Sequence, residues 1–158
     1  MFGFRNTNNE DGLPATMLLN QNSFYNAFMR DIARARNEVI IESPFITSKR
    51  IATILPVLRT LKRRNVKIII NTKPISEQEG VFHLHVSTCI EMLQDSGVEV
   101  LFTGGHHRKL AIIDRNILYE GSLNILSQND SCEIMRRMVS EQLSNQMLRF
   151  TGLDRFIN

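Results

Sequence analysis

Apolar positions recur along the chain at two spacings, one helical and one extended. Over residues 22–36, Phe24, Phe28, Ile32 and Ala35 fall at helical spacing, and Ser23 is placed to cap the first turn. Val39-Ile40-Ile41 is a β-branched run closed by Ser43-Pro44, the pattern of a buried strand. After Thr47, a plausible cap, Ile51, Ile54, Leu58 and Leu61 form one apolar stripe. Pro56 interrupts it; the missing N–H and the crowding of Leu55 predict a kink or two short helices. Residues 66–71 read as a second buried strand and residues 74–80 as a loop. Val86, Ile90 and Leu93 predict a helix over residues 83–95, stopped at Gly97. Residues 98–102, 109–113 and 117–120 read as strands, the last two joined by Arg115-Asn116 as a tight hairpin. Residues 132–138 alternate as a sixth strand, and residues 140–150, with Leu143, Met147 and Leu148, form a closing helix.

Strands alternate with helices through the first two-thirds of the chain. That order predicts an α/β fold, a mixed β-sheet sandwiched between helices, parallel early and antiparallel after the hairpin. Residues 1–15 read as a polar N-terminal tail and residues 16–158 as a single domain. No internal repeat is present.

Composition narrows the class without naming the function. The 158 residues are enough for one domain with a proper core, and 42% hydrophobic with 22% charged content is ordinary for a soluble globular protein. No apolar run approaches the ~18–20 residues needed to span a bilayer, and the N-terminus lacks signal architecture. No membrane association and a cytoplasmic location are therefore expected. Cys89 and Cys132 have neither metal-ligand nor disulfide-framework spacing and read as free thiols. The histidines His83, His85, His106 and His107 lack partners at zinc spacing, so no metal or other cofactor is called for. A net charge of +3 suits a polyanionic partner without requiring one. The basic positions Lys49-Arg50, Arg59, Lys62-Arg63-Arg64 and Arg136-Arg137, taken singly, read as solvated helix faces.

The chemistry is concentrated in one run that reads H-x-K-x4-D-x6-G-S-x-N, from His107 through Lys109, Asp114, Gly121 and Ser122 to Asn124. Cleaving a phosphodiester needs a nucleophile in line, stabilisation of the equatorial oxygens and a proton for the leaving oxygen. A neutral imidazole can attack phosphorus and divide the reaction into two easier steps, and His107 is the candidate. If the segment is extended, Lys109 projects from the same face as His107, because side chains alternate with period two. The same spacing joins Ser122 to Asn124 as neutral donors for phosphate oxygens. Asp114 falls on the opposite face of an unbroken strand and is assigned a structural role at the hairpin. Glu133 could accept from the far nitrogen of His107 and so hold its tautomer, or be an ordinary exposed carboxylate. His106 reads as substrate-side or incidental, His83 and His85 as surface positions. Met135, Met138, Met147 and Phe45 read as core.

The run over residues 107–124 resembles the signature of the phospholipase D superfamily, whose single-motif members include small bacterial endonucleases. Glu42-Ser43-Pro44-Phe45-Ile46 and Asn71-Thr72-Lys73-Pro74 are similar to the frame of bacterial members, and the resemblance covers roughly residues 20–150. It implies a phospholipase D-like fold and metal-independent chemistry in which two motifs meet at one site about a two-fold axis. One histidine attacks and the other protonates the leaving group. A Glu usually follows the Asn in this family, and Glu133 fits. With a single motif, the resemblance implies a homodimer with both His107 side chains facing one phosphate. The expected activity is a nuclease acting on DNA or RNA. The alternatives are a phospholipase-type lipid phosphodiesterase, the nuclease domain of a larger restriction or helicase enzyme, and a binding module that kept the fold without the activity.

Overall fold

The computed structural model describes residues 15–78, 83–127 and 131–157, with backbone alone for 83 and 84. The tail expected over residues 1–15 lies outside them except for Ala15, as does the end of the loop expected over residues 74–80.

The chain runs β1 (Thr16–Asn20), α1 (Phe24–Ala33), β2 (Glu38–Glu42), α2 (Ser48–Arg63), β3 (Lys67–Thr72), α3 (His83–Asp95), β4 (Glu99–Phe102), β5 (Leu110–Ile113), β6 (Ile117–Gly121), β7 (Ile134–Val139) and α4 (Glu141–Thr151). The seven strands form one sheet in the order β1-β7-β6-β5-β2-β3-β4. β2, β3 and β4 are parallel; β2–β5, β5–β6, β6–β7 and β1–β7 are antiparallel. This is the α/β sandwich with a mixed sheet that the alternation of elements predicts.

The period-two pattern explains the two cores. Val39 and Ile41, Ile68 and Ile70, Ala111 and Ile113 face one side, where Phe24, Phe28 and Ile32 of α1, Ile51, Ile54, Leu58 and Leu61 of α2 and Ile90 and Leu93 of α3 pack on them. Ile40, Ile69, Leu110, Ile112 and Leu118 face the other side, where Leu148 of α4 and Leu153 cover them. Three helices bury one face and one helix the other. On the thinly covered face Leu18 and Ile134 are each 63% exposed, and Phe150 of α4 is 81% exposed.

Three local expectations are corrected and one strand is added. α2 is one helix through Pro56, which sets aside the two-helix alternative; one missing hydrogen bond is outweighed by the buried stripe that spans it. Ser23 stands at the N-cap of α1, but its hydroxyl turns back to Asn20 instead of capping. Positive φ falls on Asp114 and Arg115, both 51°, not on Asn116, whose N–H closes the turn on Ile113. Residues 16–20, unassigned from sequence, form edge strand β1 along β7, which brings the sheet to seven strands.

Candidate active site

The sheet topology sorts the motif before any side chain is considered. β2, β3, β4 and β6 end, and β5 and β7 begin, at one end of the sheet. His107 and Lys109 lead into β5, Ser122 and Asn124 follow β6, and Glu133 precedes β7, so all five arrive at that end. Asp114 does not. It follows β5 at the far side of the sheet, about 16 Å of extended chain from Lys109.

There the Asp114 carboxylate accepts from the backbone N–H groups of Arg36 (2.9 Å), Asn37 (2.8 Å) and Glu38 (3.0 Å). Its own N–H donates to the Glu38 carbonyl at 2.9 Å, and Arg115 pairs with Glu38 at 2.7 Å. Asp114 therefore fixes the register of β5 against the entry to β2.

At the site end, β5 begins at Leu110, one residue later than the alternation predicts, so residues 106–109 are irregular chain. His107 is exposed and Lys109 half-buried. The Lys109 ammonium donates to the His107 carbonyl at 2.8 Å. Burial pushes the Lys109 ammonium below its ordinary range; the charge of Lys73 adds to the effect, and Glu133 opposes it. The Glu133 carboxyl is held below the usual range by hydrogen bonds from Ser122 and Ser131, then by the charge of Lys109. Ser131 donates to it at 2.5 Å. The carboxylate takes hydroxyl donors and faces Lys109; among the described residues it makes no bond to the His107 ring.

Ser122 is built into the sheet rim. Its Oγ accepts the Ile134 N–H at 3.0 Å and its own N–H donates to the Ile134 carbonyl at 2.8 Å. Gly121 just before it admits no side chain: a Cβ there would lie 2.1 Å from the Ile134 carbonyl oxygen. The glycine of the G-S pair is what lets β6 and β7 close at Ser122.

Asn124 rides on a segment that α1 and the start of α2 hold. The Tyr25 hydroxyl donates to the Ile125 carbonyl at 2.6 Å, with the Asn124 and Ser127 carbonyls at 3.4 and 3.3 Å. Ser43 Oγ accepts the Leu126 N–H at 3.0 Å, and the Thr47 N–H donates to the Leu126 carbonyl at 2.9 Å. Burial pushes the Tyr25 phenol up to about 12, against the nearby Arg50 guanidinium, which lies 3.2 Å over its ring. The Asn124 amide oxygen is buried without a partner among the described residues.

His106 is buried, 3% exposed, and the substrate-side reading of it is set aside. Its ring faces Glu42 and the Asn71 carbonyl, and burial pulls its proton affinity down against the charge of Glu42. His85 is exposed; the His83 side chain lies outside the described set. Met135 is core and Met138 nearly so, while Met147 is partly buried against the α4-side cluster. Phe45 is half-buried with the Lys73 ammonium 4.7 Å above its ring, so it is not simply core.

Lys73 is the site residue that motif reading misses. It follows β3, and the carboxyl ends of parallel strands are where open α/β sheets bind ligands; that position was the available signal. Together the five converging motif residues and Lys73 offer an exposed imidazole, two cations, a carboxylate and neutral donors. This set can hold a phosphate and attack it.

The sequence profile described as cardiolipin synthase, PLD-like domain, matches residues 28–151, most of the chain. The chain belongs to the phospholipase D superfamily. Among solved structures, Nuc from Salmonella typhimurium, a phospholipase D family member, superposes with a TM-score of 0.69 at 16% identity, over 85% of this chain and 90% of that one. NucT from Helicobacter pylori superposes with a TM-score of 0.68 at 19% identity, over 85% and 91%. The archaeal chromatin protein TrmBL2, whose structure shows a mode of DNA binding, gives 0.62 at 14% identity, over 90% and 53%. At these identities the likeness is one of fold. No curated protein sequence matches the chain significantly.

Proposed function

We propose that the protein is a metal-independent phosphodiesterase, an endonuclease cleaving nucleic acid through a phosphohistidine, with its active site completed by a second copy of the chain. The observation that carries this reading is the convergence of His107, Lys109, Ser122, Asn124 and Glu133 at one end of the sheet, while Asp114 is spent on the opposite end.

In the proposed reaction a neutral His107 attacks phosphorus, and the bond to the leaving oxygen breaks. Lys109, Ser122 and Asn124 neutralise and hold the non-bridging oxygens. Glu133 tethers Ser122 and keeps Lys109 charged. The His107 of the second copy, as imidazolium, gives its proton to the leaving oxygen. Now neutral, it takes a proton from water, whose oxygen attacks phosphorus and releases the first histidine. Because one residue type must start in two protonation states, the rate is bell-shaped in pH.

Nucleic acid as substrate is supported by the cations gathered at the site and by the DNA-binding relative of the same fold. The lipid reading has two observations in its favour, the cardiolipin synthase description of the matching family and the superposition of a phosphatidylserine synthase from Haemophilus influenzae, with a TM-score of 0.72 at 10% identity over 87% of this chain and 36% of that one. Among the described residues no helix is long and apolar enough to cross a membrane. Cleavage of plasmid and single-stranded DNA in EDTA, set beside head-group release from phospholipid vesicles, separates the two. Cleavage in EDTA that disappears in His107→Ala is expected. Full activity in that variant, or head-group release without DNA cleavage, contradicts the reading.

A further inference from the structure

The two residues with most to do in this reading, His107 and Lys109, lie on irregular chain ahead of β5. The β6 edge reaches only the second of them, through the Gly121 N–H donating to the Lys109 carbonyl at 3.3 Å, so something further must fix the segment. Glu42, the last residue of β2, is 0% exposed, and its carboxylate takes three donors. Arg108 donates through Nε at 2.7 Å and through a terminal nitrogen at 2.8 Å, and Asn71 Nδ2 donates at 2.9 Å. The Asn71 amide oxygen accepts from Thr103 Oγ1 at 3.0 Å, where the chain leaves β4 toward the histidines. His106 is buried against the same carboxylate. Four consecutive residues therefore alternate: His106 and Arg108 turn to Glu42, leaving His107 exposed and Lys109 in reach of Glu133.

A carboxylate sealed this far from water needs its full set of donors, and such a pair adds little stability over apolar residues of the same size. What a two-pronged guanidinium–carboxylate bond adds is direction. We propose that the Glu42–Arg108 pair is a positioning clamp, which sets the backbone between His107 and Lys109 and so aims both at one phosphate. The proposal rests on the phosphodiesterase reading above for its kinetic consequence, and on the geometry alone for its structural one. Arg108 is 42% exposed at the side chain and would serve as a phosphate ligand in a rival account. A phosphate ligand acts on substrate affinity. A clamp acts on turnover.

The test uses the full chain and a small chromogenic diester, bis(p-nitrophenyl) phosphate, with Arg108→Lys, Arg108→Met, Glu42→Gln and the Glu42→Gln/Arg108→Met double variant. Each single variant is expected to lose about 10–100-fold in kcat, the scale set by a misaimed reacting group, with KM unchanged within about twofold. The double variant is expected to be no worse than the poorer single one, because both act through one bond. Arg108→Lys, which keeps the charge and loses the two-pronged geometry, should melt near the wild-type temperature and still lose turnover. A raised KM with kcat retained, or additive losses in the double variant, overturns the clamp. The His107 ring resonance, followed by NMR in the free protein, is the arm that does not need turnover. A single line in wild type that broadens or splits in Arg108→Met supports the clamp, and an unchanged line overturns it. Wild-type protein that cleaves no diester defeats the phosphodiesterase reading while this arm still decides the clamp.

Discussion

Asp114 combines left-handed backbone, φ 51°, with a carboxylate that collects three N–H groups from residues 36–38. Replacing it with alanine removes those acceptors and leaves a β-carbon in a backbone region that disfavours it. Asp114→Ala is expected to cost about 1–3 kcal/mol, read from urea unfolding. The shape of the pH–rate profile should not change, because the residue is remote from the phosphate. A second residue-scale prediction concerns a further alkaline limb, beyond the loss of the His107 imidazolium proton, where Lys109 loses its charge. Burial and Lys73 lower the proton affinity of Lys109, and Glu133 raises it. Lys73→Gln removes a repelling cation, so Lys109 holds its proton longer and the limb moves to higher pH. Glu133→Gln removes an attracting anion and moves the limb to lower pH. The two shifts should shrink as salt screens the charges. Shifts of the same sign in both variants would contradict the assignment of Lys109 as the titrating cation.

Among the elements, the closure of β6 on β7 is the step that builds half the site. Gly121→Ala places a methyl 2.1 Å from the Ile134 carbonyl, too close for either strand to stay where it is. About 1–3 kcal/mol of destabilisation is expected, with turnover reduced because Ser122 is the next residue. Thermal melts and kcat measured together check it; loss of stability with full turnover would show that Ser122 is not needed where it sits. How legible each element is follows from where its determinants lie. β2 and β3 are plain in the sequence because buried parallel strands are unbroken apolar runs. β1 is not, because Thr16-Met17-Leu18-Leu19-Asn20 is short and only Leu19 is buried; its pairing with β7, more than a hundred residues on, makes it a strand. The two-helix alternative at Pro56 fails for a similar reason: a local penalty is read easily, while the tertiary burial of Ile51, Ile54, Leu58 and Leu61 that overrides it is not.

For the whole molecule, the same division holds at the site. The motif is compact enough to read as chemistry, and its period-two spacing separates Asp114 from the rest before any fold is known. The supports are long-range and leave no pattern. Tyr25 reaches across about a hundred residues to the Asn124 segment, and Glu42 across 66 to Arg108. The central claim is that each active site needs His107 from two chains. Wild-type and His107→Ala chains, unfolded together and refolded at varied ratios, test it most directly through the rate of metal-free DNA cleavage. If both histidines are required, activity follows the square of the wild-type fraction, so an equal mixture retains about a quarter of the rate. Activity proportional to the wild-type fraction, an equal mixture retaining about half, would mean that one chain carries a complete site and would contradict the account.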